Sequence, residues 1–191
     1  IPKSRWFKML ERIECCLSDQ KSKATNFLTR LIAVARDPFW AYSRLIGSDN
    51  FNTPQLKQLI KSQITWADIF HLHNLHGNYF DLRLLQPISK QDPVIITLHD
   101  EYLYTGHCAY TLGCERWRMG CGKCPHLDVY PDVRVDNTHN NCERKDRIFH
   151  DSNIHLVTSS IWLEAQVKES LLSHLPAKSI PKGIDLKLFN Q

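Results

Sequence analysis

The sequence predicts an α/β protein built on a Rossmann-like parallel sheet. Short apolar segments that end in polar residues recur along residues 66–191, and amphipathic segments lie between them. This alternation of strand and helix is typical of a parallel sheet. A stretch over residues 101–145 has few apolar runs and contains four cysteines. We therefore expect a sheet domain over residues 66–191 with a Cys-rich excursion, preceded by a helical segment over residues 1–65.

The segment over residues 1–65 is predicted to be helical. One helix is expected from Trp40 to Ile46. Another is expected to begin at Thr53, because the proline that follows it is favoured in the first turn of a helix. Many positive charges lie in the first half of this segment. They indicate either a solvated helical face or peripheral contact with an anionic membrane surface.

Four apolar segments are predicted to be the strands of the sheet. Each is a short run of four to eight residues that contains apolar side chains, as expected of buried strands. The strands are expected over residues 67–73, 93–100, 154–158 and 177–180.

Two helices are predicted between these strands. The first covers residues 80–90, where Pro87 would end it early. The second covers residues 161–172, and either Ser159 or Ser160 supplies its N-cap.

Polar residues follow the strands at the points where they end. Ligands of parallel sheets bind beyond the carboxyl ends of the strands, which meet at one edge. A histidine there, oriented by a carboxylate, suits a general base near neutral pH, although a histidine that only supports the structure is the alternative. The residues at this predicted edge are His71, His73, Asn74, His99, Asp100, Ser159 and Ser160.

Four of the seven cysteines lie close together with the spacing C-x5-C-x6-C-x2-C. Four thiolates that include a CxxC pair suit a tetrahedral structural zinc ion, while an iron–sulfur cluster or two disulfides are alternatives. A closed four-thiolate site has no open position, so we expect no metal catalysis. The candidate ligands are Cys108, Cys114, Cys121 and Cys124.

The composition excludes several classes of protein. The apolar runs are too short to span a bilayer. A net charge of +4 is too small to indicate a nucleic-acid partner. The odd number of cysteines, and the lack of a segment resembling a secretory signal, favour a reducing, cytoplasmic location. Glycine is scarce, at 7 of 191 residues, and no glycine-rich phosphate-binding motif occurs.

Several motifs recur in a distinctive order. Residues 68–77 read DIFHLHNLHG, residues 97–100 read TLHD and residues 104–110 read YTGHCAY. Residues 157–163 read VTSSIWL, and residues 180–185 read IPKGID. This set resembles family 4 glycosyltransferases, and in particular the branch associated with colanic acid and related exopolysaccharides.

The resemblance implies a two-domain GT-B enzyme that transfers a sugar from a nucleotide-sugar to a saccharide or lipid-linked acceptor in polysaccharide biosynthesis. The amino-terminal domain of such enzymes receives the acceptor, and the other domain binds the donor. We expect the 191 residues to lack the donor domain and to have little activity alone. The location expected is cytoplasmic, at the inner face of the membrane where the acceptor is lipid-linked.

The resemblance also implies roles for individual residues. The family's functional histidine falls on His99, which we expect to contact the transferred sugar or assist the developing charge. Asp100 beside it is the second candidate catalytic residue. Lys182 stands where the family has asparagine in the segment that leads to the donor domain. The candidate acceptor-binding residues are His73, Asn74, Gly106, His107, Ser159 and Ser160.

A different class of function is also consistent with the cysteines. A zinc-knuckle module that binds protein or nucleic acid needs basic and aromatic residues around its metal site. Arg116, Trp117, Arg118 and Lys123 lie between or beside the cysteines and support this alternative.

Overall fold

The computed structural model describes residues 31–32, 34–35, 38–48, 67–77 and 80–183. The helix predicted from Thr53, and most of the positive charges of the first segment, lie outside the described residues. No helix in the described ranges is long and apolar enough to cross a membrane.

The described strands form one parallel sheet of four strands, in the order in which they occur along the chain. The predicted α/β class is confirmed. All four predicted strands are present; the third has the predicted bounds, and the other three are shorter than expected. They are β1 (Phe70–His73), β2 (Val94–Leu98), β3 (Ile154–Thr158) and β4 (Ala177–Ser179).

Residues 31–32 and 34–35 are helical, and four further α-helices accompany the sheet in the described ranges. The first begins at a proline, whose fixed φ suits the first turn of a helix, and it matches the helix predicted from Trp40. Short 3-10 turns cover Leu82–Leu84, Tyr102–Tyr104 and Arg116–Met119. The helices are α1 (Pro38–Leu45), α2 (Leu85–Ser89), α3 (Thr138–His150) and α4 (Ile161–Lys168).

Three details of the predicted helices are wrong. The segment 80–90 is a 3-10 turn followed by the short helix α2, and Pro87 lies inside α2 rather than at its end. Proline is tolerated there because the first turn of a helix needs no N–H donor. The helix predicted over 161–172 ends at Lys168. No helix was predicted at the end of the Cys-rich excursion, which forms the first half of α3.

The hydrophobic core lies where the helices pack on the sheet. Val94, Ile96 and Leu98 of β2 are almost fully buried. The helix α2 packs on β2 and α3, whereas α4 packs on β3 and β4. Phe149 of α3 is also fully buried in this core. Each large apolar side chain buried in this way contributes about 1.5–3 kcal/mol, which holds the carboxyl edge of the sheet in place.

Candidate functional site

Three histidines form a row at the carboxyl edge of the sheet. Because β1 and β2 are parallel and His73 is in register with Thr97, the histidine that follows β2 lies beside β1. Nδ1 of His73 is 3.0 Å from Nε2 of His99, and their rings stack with centroids 5.3 Å apart. The ring of His71 is 4.3 Å from that of His73, and its Nε2 is 2.8 Å from Oγ1 of Thr97. The structure thus joins two of the predicted site residues directly.

The surroundings of His99 favour its neutral form. Burial lowers the pKa of His99 below 6.5, and the positive charges of Lys182, His73 and His71 lower it further, while Asp100 acts in the opposite direction. At neutral pH, His99 is therefore a neutral imidazole that donates at one nitrogen and accepts at the other.

The carboxylate of Asp100 forms its hydrogen bonds with residues other than His99. Its Oδ2 lies 2.8 Å from Nε2 of His76, and its Oδ1 accepts the backbone N–H of Tyr102 at 3.0 Å. His76 in turn lies 3.2 Å from the hydroxyl of Tyr130. Asp100 therefore orients His76, whereas the orientation of His99 comes from His73. The sequence places His76 in the loop after β1, but its pairing with Asp100 and the role of Tyr130 were not predicted, since only the fold brings these residues together.

Of the remaining residues predicted at the edge, two are at least partly exposed to solvent and one caps a helix. Asn74 follows β1 with a φ of 46°, a left-handed conformation that asparagine tolerates, and it is exposed. Ser159 is partly exposed at the end of β3. The side chain of Ser160 accepts the N–H of Leu163 at 3.2 Å, which confirms it as the N-cap of α4.

Gly106 and His107 lie inside the excursion. A Cβ on Gly106 would come within 2.5 Å of Cβ of Thr138, so α3 can approach only because this residue is glycine. His107 is 1% exposed, and its Nδ1 lies 2.8 Å from the carbonyl oxygen of Pro131. As placed, Gly106 packs against α3 and His107 is buried within the excursion, so neither offers a surface to an acceptor.

The four predicted metal ligands line one pocket in the excursion, together with His107. The pocket has room for about one water-sized particle. All five described cysteines are free thiols. Within the described ranges, however, no three Cys, His, Asp or Glu side chains lie close enough together to hold a metal ion. The thiols of Cys108, Cys114, Cys121 and Cys124 therefore share a pocket without forming a ready metal site, and zinc stays a prediction.

A fifth cysteine, on α3, contacts one of these four thiols. The thiol of Cys142 hydrogen-bonds Cys121, and this bond lowers the pKa of Cys121. The Gly106 N–H, 3.2 Å from Sγ of Cys121, and the nearby Lys145 ammonium act in the same direction, against burial. Burial raises the pKa of Cys108 to about 11. Cys142 was missed because it is distant in sequence from the other four.

A fully buried lysine links α3 to the loop that follows His99. Lys145 is 0% exposed, and its Nζ donates to the carbonyl oxygens of Tyr102 at 2.8 Å and Thr105 at 2.9 Å. The same atom lies 3.6 Å from the centroid of the Tyr102 ring, which adds a cation–π contact. Because the backbone N–H of Tyr102 also binds Asp100, Lys145 helps to fix the loop that carries Asp100.

A buried glutamate organises the start of the excursion. Glu101 is 7% exposed, and its carboxylate accepts the hydroxyls of Tyr104 at 3.1 Å and Thr111 at 3.0 Å. It also accepts the backbone N–H of Thr111 at 2.7 Å. Three hydrogen bonds offset the cost of burying the charge. The loop after β2 is thus fixed at its first turn.

Comparison with known proteins adds an independent line of evidence. The chain is 37% identical over 117 residues to the "Putative colanic acid biosynthesis glycosyl transferase WcaC" of Escherichia coli (strain K12). This match covers 57% of the chain and 29% of that protein. The similarity supports a relationship to glycosyltransferases. The chain therefore spans less than a third of the length of this relative.

A second match is shorter and has a different named activity. The chain is 36% identical over 76 residues to a cyanate hydratase of Coprinopsis cinerea, which is 39% of this chain and 49% of that protein. No protein-family model and no solved structure matches the chain.

Proposed function

We propose that residues 67–183 form the acceptor side of a glycosyltransferase in polysaccharide biosynthesis. The reaction transfers a sugar from a nucleotide-sugar to a saccharide or lipid-linked acceptor, and the enzyme is of the GT-B, family 4 type. The observation that carries the proposal is the pairing of His73 with His99, 3.0 Å apart, at the edge of the sheet where ligands bind. The similarity to the Escherichia coli relative agrees with it.

In this proposal His99 contacts the reacting sugar through Nδ1. Its Nε2 is engaged with His73, and within the described part of the chain Nδ1 has no hydrogen-bond partner. In the tautomer that we propose, Nε2 of His99 accepts the N–H of His73, so Nδ1 carries the proton of the neutral ring and donates a hydrogen bond to an oxygen of the sugar or of the leaving group. Developing negative charge strengthens that hydrogen bond, which is how such a donor lowers a barrier.

Of the other residues at the edge, some are proposed to bind the acceptor and one is proposed to position a loop. His73, Asn74 and Ser159 border the edge and are proposed to bind the acceptor. Asp100 acts through His76 and Tyr102 as a positioning residue for the loop after β2. We also propose that the protein is cytoplasmic, and that it lies at the inner face of the membrane if its acceptor is lipid-linked.

A hybrid protein provides the test. The region of the Escherichia coli relative that aligns with this chain is replaced by this chain's own residues, so that the donor half comes from the relative. We expect the hybrid to transfer labelled sugar from a nucleotide-sugar to a lipid-linked saccharide, and the isolated 191 residues to transfer little. A hybrid that folds by circular dichroism but transfers nothing would contradict the proposal. Sugar transfer at a normal rate by the isolated 191 residues would show that a separate donor half is not required.

The zinc-knuckle alternative receives less support from the geometry. Trp117 is 3% exposed, packed against Tyr104 with ring centroids 5.0 Å apart, and so cannot stack on a base. The guanidinium of Arg118 is paired with Glu115 and Glu169. Trp117 and Arg118 therefore hold the excursion together instead of presenting a binding surface, while Arg116 and Lys123 are exposed.

Zinc in the excursion is a separate structural proposal. Four thiols line one pocket, and zinc would require their side chains to move toward a common point. We expect elemental analysis of protein purified without added metal to find about one zinc per chain. Protein that contains no metal, and whose pocket thiols all titrate freely with a thiol reagent, would refute this prediction.

A further inference from the structure

We propose that Cys121 and Cys142 form a reversible disulfide when the protein meets hydrogen peroxide, and that Cys121 is the thiol that reacts first. Both residues are free thiols in the structure. The inference goes beyond the proposed function and does not depend on it. Cys121 is also a candidate zinc ligand, and the two uses are alternatives, because a sulfur in a disulfide is no longer a thiolate ligand.

Contacts between the excursion and α3 bring these two thiols together. The backbone N–H of Gly122 donates to Oγ1 of Thr138 at 3.0 Å, which fixes the neighbour of Cys121 on the first turn of α3. Cys142 lies one turn further along α3, on the same buried face as Thr138. Its thiol therefore reaches Cys121 and hydrogen-bonds its sulfur. Because the side chains are already in contact, only a short approach is needed to reach an S–S bond of about 2.05 Å.

The surroundings of Cys121 favour its nucleophilic thiolate form. Its sulfur receives the thiol of Cys142 and the backbone N–H of Gly106, the latter at 3.2 Å, and the positive charge of Lys145 acts on it as well. Cys124 is the nearest thiol to Cys121 in sequence, but its sulfur lies 3.5 Å from Nε2 of His107. The fold thus pairs Cys121 with a distant cysteine instead of with its CxxC neighbour.

The two thiols differ in their access to an oxidant. Cys121 is partly exposed and lines the pocket of the excursion, which has room for about one water-sized particle. Hydrogen peroxide is only slightly larger than water. Cys142 is 2% exposed, so its thiol is reached through Cys121 and not from solvent. This difference makes Cys121 the attacking thiol and Cys142 the resolving thiol.

The reaction has two steps, and its atoms balance. The sulfur of Cys121 attacks one peroxide oxygen and the O–O bond breaks. The other oxygen leaves as hydroxide and takes up the proton that Cys121 has lost, which gives water and a sulfenic acid. The sulfur of Cys142 then attacks the sulfenic sulfur, the S–O bond breaks, and the proton of Cys142 leaves with that oxygen as a second water. Two thiols are oxidised to a disulfide, and one peroxide is reduced.

The test is peptide mapping of the full chain after treatment with an equimolar amount of hydrogen peroxide. The protein is used as purified, without added metal or chelator, and free thiols are then alkylated. Trypsin places Cys121, Cys124 and Cys142 on three separate peptides, because it cleaves after Arg118, Lys123, Arg134 and Arg144. We expect mass spectrometry to find the peptides of Cys121 and Cys142 joined as the main cross-link, and dithiothreitol to separate them.

The same oxidation in concentrated urea shows whether the fold directs the pairing. In an unfolded chain the shorter loop closes more readily, so Cys121 should join Cys124. A native cross-link between Cys121 and Cys142 that gives way to one between Cys121 and Cys124 in urea is the expected result.

Three variants assign the order of the steps. In Cys142→Ser the sulfenic acid has no resolving thiol, so we expect about tenfold more dimedone adduct at Cys121 than in the parent. Cys121→Ser should leave Cys142 unoxidised and without an adduct. Cys114→Ser is the matched control, because Cys114 is partly exposed and lines the same pocket. It should form the cross-link as the parent does, and circular dichroism verifies that each variant is folded.

Three results would overturn the inference. One is a native protein whose main cross-link is Cys121 to Cys124, or whose Cys142 still alkylates fully once Cys121 is oxidised. The second is loss of the cross-link in folded Cys114→Ser. The third is a sulfenic acid that accumulates at Cys121 in the parent as much as in Cys142→Ser, since this would show that Cys142 does not resolve it.

Discussion

Replacing Lys145 by methionine lowers the free energy of unfolding by about 3 kcal/mol. The ammonium is fully buried and is the donor to two backbone carbonyl oxygens, those of Tyr102 and Thr105. Methionine fills a similar volume but donates no hydrogen bond, so both carbonyls lose a charged donor. It also loses the cation–π contact with the Tyr102 ring. Urea unfolding followed by circular dichroism measures the change.

The matched control for this substitution is Lys178→Met. Lys178 lies exposed on β4, so its replacement should change the unfolding free energy by no more than about 0.5 kcal/mol. A loss below about 1 kcal/mol in Lys145→Met would show that the buried ammonium does not stabilise the loop after β2. A Lys145→Met chain that fails to fold agrees with the prediction, provided that the control folds normally.

The sheet could be predicted from the sequence because each strand is a local signal. The apolar runs that form β2 and β3 end in His99 and Ser159, and parallel strands bring such ends to one edge. The helix α3 could not be predicted in this way, because its sequence, THNNCERKDRIFH, is largely polar. Its buried face includes Asn141 and Lys145, which tertiary hydrogen bonds accommodate. Polar residues buried by such contacts leave no apolar period in the sequence.

The location of the site could be predicted from the sequence, but the hydrogen-bond partners of its side chains could not. The histidines after β1 and β2 belong to the same edge on topology alone. Which ring pairs with the carboxylate depends on the loop geometry, and the structure pairs Asp100 with His76 and His99 with His73. His107 is buried within the excursion, where it contacts Pro131 and Cys124, and no local motif specifies these contacts.

Replacing His99 by alanine should reduce kcat about 100-fold in the hybrid protein that also carries a donor half. The substitution removes the proposed donor at Nδ1 and leaves the fold intact, since His99 is only partly buried. The control is His155→Ala, because His155 is an exposed histidine on β3. Its kcat and KM should match those of the parent, and all three proteins should unfold at similar urea concentrations.

The pH profile tests the same residue without a substitution. The charge on His99 would change its hydrogen bonding to His73, so the proposed active form is the neutral pair. Because the pKa of His99 is lowered, the neutral form persists below the ordinary value of 6.5. We expect kcat/KM of the hybrid, which reports the pKa of the free protein, to be level from neutral to mildly alkaline pH and to fall only as the pH drops through that lowered pKa. Unchanged kcat in His99→Ala, or a profile identical in the two proteins, would remove His99 from the reaction and leave it a structural role beside His73.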